Sequence, residues 1–440
     1  MRWKTVELTG WGRVLSGKAE LARPEKPAAL SGIFADTPAP AIGAQRSYGD
    51  AAVNSDGRAV DMTRLDRFIS FDGDTGILHA EAGCSITDML DTFAPKGWMP
   101  AVMPGTGFAT LGGCIANDVH GKNHHKVGTF GQHVLEIELA GADGNPTTVT
   151  PEGDPALFKA TIGGLGQTGA ILSAKIRMIP CSSRLIQVDE RRAANLAEFM
   201  EMLKASDATY CVGWIDGTAN GQSLGRGILE EAELTSSNMA PKLRKPRKVP
   251  FNAPKFALSP PTVRLFNRMY FNRIPKQGRG VLRSLKDFFF PLDKIHDWNK
   301  LYGKRGFHQF QCVLPDKIAE RTLRDMLRLI ADAGLASPLA VLKRTGPGRA
   351  GSLSFPMEGF TLALDFPNSE KSRALVAQLN TLAAEAGGRI YFAKDSLATA
   401  AQARQMYPEL AEWQKTVEAA DPDGVFQTDL VRRLKLRTPA

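Results

Sequence analysis

The sequence predicts an α+β protein of two domains, and three observations carry that reading. From about Ala41 to Pro180 the chain reads as short strands separated by Gly and Asp turns; after Pro180 longer helical periods alternate with strand-like runs; and no βαβ rhythm is visible. A chain of 440 residues with 43% hydrophobic content is long enough for two or three cores.

The elements follow in order. "FISFDGDTGILHAEA" gives two strands around a "DGDTG" turn. Ser85, with Asp88 three residues on, caps the helix "SITDMLDTFAPKG". "VLEIELAGADGNPTTVT" is a hairpin pattern around Asp143-Gly144, and "DPALFKATIGG" is a short helix ending on glycine. Beyond Pro180, "ANLAEFMEMLKA", "ERTLRDMLRLIADAG" and "SRALVAQLNTLAAEAGG" carry helical periods, while "HQFQCVLP" and "FTLALDF" read as strands. The stretch from about Ala232 to Gly280 is rich in Pro, Lys and Arg without clear periodicity, and a connection of that length is expected to be functional or mobile.

Composition narrows the function classes. No apolar run approaches the roughly 20 residues of a membrane-spanning helix, and the start, "MRWKTVELTGWGR", lacks a signal-peptide pattern, so a cytoplasmic protein is expected. Five scattered cysteines, none spaced as CxxC, read as reduced thiols. The net charge of +9 favours an anionic partner: nucleic acid, a lipid surface or a phosphorylated small molecule. Much of the excess lies in "KLRKPRKVP" (Lys242 to Pro250), which has no aromatic interleaving and so does not suit an RNA-stacking platform. It reads as a solvated loop or as a segment drawn to anionic lipid head groups.

Three stretches compete as sites. "GLGQTG" (Gly164 to Gly169) spells a dinucleotide fingerprint, but a helix precedes it and the strand-like "AILSAKIRMIP" follows, the reverse of what that fingerprint needs. Four of the seven histidines fall between Leu111 and His133, yet Gly121 and Lys122 spoil any regular ligand frame, and no metal is expected. The third candidate is a pair of glycine-rich loops, "AIGAQRSYGD" (Ala41 to Asp50) and "MPGTGFATLGGCIANDVHG" (Met103 to Gly121). Their glycines let main chain approach a ligand and aim N–H groups at an anion, with Ser47, Thr106 and Thr110 as added donors. Two such loops suit a diphosphate.

"RSYGD", "MPGT", "LGG", "DVHGKNHH", "IGGLGQTGAI" and "YFAKDS", in that order, resemble the FAD-binding oxidoreductases of the vanillyl-alcohol oxidase type (PCMH-type). Within them they resemble the branch that oxidises a decaprenylphosphoryl ribose, and the likeness runs from "LTGWGR" to "DPDGVFQTDLVRRLKL". The resemblance implies an FAD domain formed by residues 1–183 and 389–440, with an inserted α+β substrate domain at 184–388. It implies non-covalent FAD, since Tyr48 stands where some relatives carry a tethering histidine and no cysteine lies between positions 101 and 109. It places FAD contacts on Ala41, Ile42, Gly43, Ala44, Gln45, Arg46, Ser47, Tyr48, Gly49, Asp50 and Ala51; on Gly105, Thr110, Leu111, Gly112 and Gly113; on Asn117, Asp118, Val119 and His120; and on Ile171 and Tyr391.

The same resemblance makes Lys394 the essential lysine, with His120 and Tyr48 beside it in catalysis, and assigns Lys122, Gln309, Gln311, Lys343 and Asp365 to the substrate. Lys394 or His120 is the expected base. The implied reaction oxidises the 2′-hydroxyl of a polyprenyl-phosphoryl-β-D-ribose to the 2′-ketone, and a separate NAD(P)H-dependent short-chain reductase completes an epimerisation. Peripheral contact with the inner membrane surface is implied and nucleic acid is not, while a soluble sugar, alditol or aldonolactone remains the alternative substrate. The chain departs from that branch at Gln45, which replaces a glycine, and at Ala363, which replaces a pocket cysteine attacked by nitroaromatic inhibitors. Phe289, Phe290 and Thr361 are further departures and bear on the identity of sugar and lipid.

Overall fold

The computed structural model describes residues 3–237, 239–241, 245–335 and 337–438; Lys242, Leu243 and Arg244 of the basic segment lie outside the described residues. Three sheets organise the fold. The first runs Lys4–Thr9, Ser16–Ala22, Arg58–Asp61, Ala41–Ile42. Its second and fourth strands both pair with Arg58–Asp61 in parallel, an arrangement that such short strands do not announce in sequence. The second sheet is antiparallel, in the order Phe68–Asp72, Ile77–Glu81, Ala170–Pro180, Val134–Ala140, Pro146–Val149, with Trp98–Pro100 against the end of Ala170–Pro180.

The two expected hairpins are both in this second sheet, and the Ser85 hydroxyl accepts from the Asp88 N–H to cap the helix Ile86–Phe93. "GLGQTG" forms the turn between the helix Pro155–Thr161 and the strand Ala170–Pro180.

The third sheet is antiparallel throughout, in the order Arg279–Ser284, Leu185–Ala193, Gly227–Leu234, Tyr210–Ile215, Ala340–Thr345, Gly359–Pro367, Phe307–Pro315, Arg389–Ile390. Side chains alternate across it. Phe310, Cys312, Leu342, Leu362 and Leu364 point into a core shared with the helices Leu196–Ala205, Asp316–Ala333 and Glu370–Glu385. The residues between them, Gln309, Gln311, Val341, Lys343, Thr361 and Ala363, line a cavity on the opposite face. The period of two seen in "HQFQCV" therefore aims both amides the same way.

The stretch from Ala232 to Gly280, expected as an irregular connection, contains the helix Pro260–Asn272. Pro260 and Pro261 sit in its first turn, where a missing N–H costs nothing. Only Val263 and Asn267 are buried, so the helix lacks the broad apolar stripe that would have marked it in sequence. Asn267 anchors it by donating from Nδ2 to Asp216 Oδ1 at 2.7 Å. The C-terminal helices Ala400–Met406, Leu410–Ala420 and Asp429–Leu434 return to the first part of the chain. There Trp413 Nε1 donates to the Ala160 carbonyl at 3.1 Å, and Arg433 reaches Asp50. Among the described residues no helix is long and apolar enough to cross a membrane.

Candidate active site

The two glycine loops and the polar face of the third sheet enclose a cavity of about 1420 Å³. That exceeds the roughly 300–1,000 Å³ of a drug-sized ligand's pocket and leaves room for a dinucleotide with a substrate beside it. The first loop presents bare main chain to it. The N–H groups of Ala44, Gln45, Arg46 and Ser47 make no hydrogen bond among the described residues, and all four residues line the cavity. Gln45 takes a left-handed φ of 52°, the reversal that turns successive N–H groups into an anion nest and that glycine adopts without steric cost.

The second loop contributes differently from expectation. Thr110 caps a short helix, Leu111–Ala116, and the N–H groups of Leu111, Gly112 and Gly113 are taken by Cys84 O, Ala82 O and Thr110 Oγ1. Gly112 and Gly113 thus give close approach, not donors. Thr106 is also engaged, donating to Asp293 Oδ1 at 2.7 Å. Gly105 lines the cavity with no atom within 4 Å of where a Cβ would stand, so a side chain there would project into the ligand space.

Deeper in, Lys394 Nζ lies 3.7 Å from the centre of the Tyr48 ring. Burial, with Lys343 nearby, brings the Lys394 ammonium down to about 7, against the attraction of Asp365. Asp365 accepts from Gln309 Nε2 and, at 3.2 Å, from the Tyr302 hydroxyl; burial pushes its carboxyl up to about 7. Lys122 and Lys343 are each lowered to about 8, again mainly by burial. His120 approaches Gln311 Nε2 through its own Nε2 at 3.2 Å, and burial holds its imidazole well below the ordinary histidine value. Its Nδ1 is buried without a partner among the described residues, as is Asn117 Oδ1.

Most of the expected site residues line this one cavity: Ala41 to Tyr48, Ala51, Gly105, Thr110, Gly112, Gly113, Asn117, Val119, His120, Lys122, Ile171, Gln309, Gln311, Lys343, Tyr391 and Lys394. Five do not. Gly49 packs so closely that a Cβ would lie 1.8 Å from the Asp395 carbonyl oxygen. Asp50 binds Arg433, and Leu111 is core. Asp118 is fully buried and accepts from Gly131 N, Ala350 N and Ser354 Oγ; Asp365 sits behind Gln309.

The other histidines of the cluster have structural partners. His124 Nδ1 accepts from Gly346 N, while His125 and His133 meet the carbonyls of Ala208 and Val127. No group of three His, Cys, Asp or Glu placed to hold a metal occurs among the described residues.

The sequence reading missed several wall residues. Trp11 and Phe108 sandwich the Arg46 guanidinium, their ring centres 4.4 and 4.9 Å away, and Leu165 and Gly166 of "GLGQTG" also reach the cavity. Trp214 also lines it, beside Tyr270 and Phe266, which the sequence reading places with Leu265 and Met269 as apolar contacts for a lipid tail. No local pattern marks Trp11, Phe108 or Trp214.

A nest of main-chain N–H groups without partners among the described residues, a glycine-bared wall and the orphaned polar atoms of Asn117 and His120 fit FAD. Residues 28–150 match the family model described as FAD binding domain, and residues 360–434 match that of D-arabinono-1,4-lactone oxidase. The chain is 36% identical to decaprenylphosphoryl-beta-D-ribose oxidase of Mycolicibacterium smegmatis, over 98% of each chain. The chain belongs to the decaprenylphosphoryl-β-D-ribose oxidase family. L-gulono-1,4-lactone dehydrogenase of Mycobacterium tuberculosis is 21% identical over 96% of this chain and 97% of its own length. Cytokinin dehydrogenase 3 of Oryza sativa subsp. japonica is 27% identical over 48% of this chain and 39% of its own.

As a member of the decaprenylphosphoryl-β-D-ribose oxidase family the protein is an FAD-dependent oxidoreductase of α+β fold. Bound FAD supplies a hydride acceptor.

Two predictions arise from the cavity wall. Ala363 lines it, whereas the free cysteines Cys84, Cys114, Cys181, Cys211 and Cys312 do not. With a reducing substrate present, so that electrons passing through the flavin bring the nitro group to the thiol-reactive nitroso level, a nitroaromatic compound is therefore expected to leave the intact mass of the holoenzyme unchanged, and an Ala363→Cys variant is expected to gain one adduct.

The second prediction concerns stability. Lys122, Lys343 and Lys394 all have folded values below the 10.5 of a free lysine. Between about pH 7 and 10 the unfolded chain then binds more protons than the folded one, so these groups make stability rise with pH across that window. The five buried thiols, pushed up by burial, act in the opposite direction over the same range, so the lysine effect is read by difference: the change in urea midpoint of the FAD-free protein from pH 7.5 to 9.5 is expected to be less positive in Lys343→Met than in wild type.

Proposed function

We propose that the protein oxidises the 2′-hydroxyl of a polyprenyl-phosphoryl-β-D-ribose to the 2′-ketone, with residues 1–183 and 389–440 holding FAD and 184–388 holding the substrate. Supporting this reading above all is the mixed wall of the cavity, where the polar side chains of Lys394, Gln309, Gln311 and Lys343 share the lining with the aromatic rings of Trp214, Tyr270 and Phe266, the last 44% exposed. A soluble lactone has no use for that aromatic surface; a sugar on a lipid phosphate does.

In this reading Lys394, laid on Tyr48, is the cation that stabilises negative charge developing on the reduced cofactor. Asp365 acts through Gln309 and by holding charge opposite Lys394. Gln309, Gln311, Lys122 and Lys343 orient the ribose. With Lys394 as the cation, the proton of the 2′-hydroxyl passes to His120, whose imidazole burial keeps neutral and so free to accept one.

The lipid tail leaves along the helix Pro260–Asn272, where Leu265 and Met269 are each 61% exposed. Exposed Phe251 and Phe256 lie nearby in sequence, and Arg247, Lys248, Arg264 and Arg268 add positive charge. This composition suits peripheral contact with an anionic membrane surface on the cytoplasmic side. A separate NAD(P)H-dependent short-chain reductase is the partner that would return the ketone to the epimeric alcohol. Turnover of farnesyl-phosphoryl ribose, with none of free ribose or D-arabinono-1,4-lactone, is the expected result; turnover of the lactone alone would replace this reading with that of a lactone oxidase, which the match at residues 360–434 favours.

A further inference from the structure

Two carboxylates, Glu190 and Glu230, stand directly opposite each other on neighbouring strands of the third sheet. Like charges so placed repel, and three arginines offset them. Glu190 is fully buried, accepts from Arg279 Nε and Arg283 Nη2, each at 2.6 Å, and forms an ion pair with Arg273, whose Nη2 lies 2.9 Å away. Glu230 accepts from Arg283 Nη1 at 3.0 Å, with Arg273 at 3.8 Å. Three guanidinium groups against two carboxylates leave one positive charge in excess. Lys122, electrostatically coupled to Glu230 and Arg283, adds a second. Asp287, also on this wall, has Lys294 at 3.6 Å and does not cancel them.

Arg273, Arg279, Arg283, Glu230 and Lys122 all line the cavity. The cluster still has donors to spare. Arg279 uses only Nε, so both of its Nη groups are without a partner among the described residues, and Arg273 Nε is buried without one. The charge also adjoins the apolar exit: the Arg273 guanidinium lies 4.2 Å from the Tyr270 ring centre, Tyr270 is 4.7 Å from Trp214, and Phe266 stacks on Tyr270 at 5.8 Å. Excess positive charge with free guanidinium edges, beside a file of aromatic rings, is complementary to an anion that carries an apolar chain.

We propose that Arg279 and Arg273, organised by Glu190, form a binding site for the phosphate ester of an isoprenoid chain. The assignment rests on the reading of the substrate given above and extends it to residues outside the sugar pocket. Two sources share this chemistry, the lipid-linked substrate and the head group of a membrane phospholipid.

The test uses holoenzyme and farnesyl phosphate, with farnesol as the ligand lacking phosphate and phosphatidylglycerol vesicles as the membrane arm. Losing a charge-assisted contact is expected to weaken farnesyl phosphate binding about 10-fold or more in Arg279→Gln, with Arg279→Lys intermediate and farnesol unchanged. Arg191→Gln, whose residue pairs with Glu231 outside the cavity, is expected to bind as wild type. An unaltered flavin spectrum establishes that each variant is folded. If vesicle binding falls in Arg279→Gln while farnesyl phosphate binding does not, the site reads phospholipid head groups. If neither falls, the site does not exist. Loss of farnesyl phosphate binding in the variant, together with failure of the wild type to oxidise farnesyl-phosphoryl ribose, retains the phosphate site and removes only the assigned reaction.

Discussion

Lys394→Met is expected to slow anaerobic flavin reduction by about 10²–10³-fold, the cost of removing one donor aimed at developing negative charge, while the variant still purifies yellow. The ammonium lies on the Tyr48 ring, between the loop that presents the nest and the strand that carries Asp365. Only its charge is removed, because methionine keeps the length and apolar stem of the side chain. The wild-type value of about 7 adds a pH signature. A lysine brought down by burial acts as a cation only below that value, so the reduction rate is expected to decline as pH rises through it, and the slope is expected to vanish in Lys394→Met. Stopped-flow reduction at several pH values checks both; an unchanged rate in the variant would remove Lys394 from the chemistry.

Arg433→Met is expected to destabilise the holoenzyme by about 3–5 kcal/mol, the cost of stranding buried charge. Arg433 donates to Asp50 from Nε at 2.8 Å and from Nη2 at 2.7 Å, and to Asp395 Oδ2 at 2.9 Å. Both aspartates are about 3% exposed, so water does not replace the lost partner. The clamp also sets geometry. Asp50 follows the loop bearing Tyr48, Asp395 follows Lys394, and Tyr48 N donates to the Ala393 carbonyl at 2.8 Å between them. Denaturant titration followed by flavin fluorescence measures the loss. The double variant Asp50→Asn, Arg433→Met is expected to recover part of it, since one stranded charge is gone.

What the sequence disclosed and what it hid differ by range. The nest at Ala44 to Ser47 was legible because its cause is local: a short segment framed by Gly43 and Gly49, although the residue that reverses φ is Gln45 and not a glycine. Gln309 and Gln311 were legible because a strand's period of two is local as well. Lys394 was not. Beside Asp395 it reads as half of a surface pair, and it is buried only because Tyr48 and Asp365 arrive from distant segments.

The same holds for Asp50 and Asp118, adjacent in sequence to cavity residues yet turned to Arg433 and to Ser354. A motif marks a stretch; alternation of the chain within it decides which side chains face the ligand. Arg273 and Arg279 lie in the Pro-, Lys- and Arg-rich stretch that was expected to be functional or mobile, and Arg283 just beyond it, with no pattern that groups the three. Their common purpose appears only when strand register sets Glu190 against Glu230 and brings the end of the helix Pro260–Asn272 over both.

The account turns on a flavin held by the nest of the first loop and reduced by a ribose presented next to Lys394. The visible spectrum of the purified holoenzyme, recorded anaerobically before and after addition of farnesyl-phosphoryl ribose, tests it most directly. The predicted result is an oxidised flavin spectrum that bleaches with the lipid-linked ribose and does not bleach with free ribose. A protein that binds no FAD on reconstitution, or one whose flavin stays oxidised in the presence of that substrate, would contradict it.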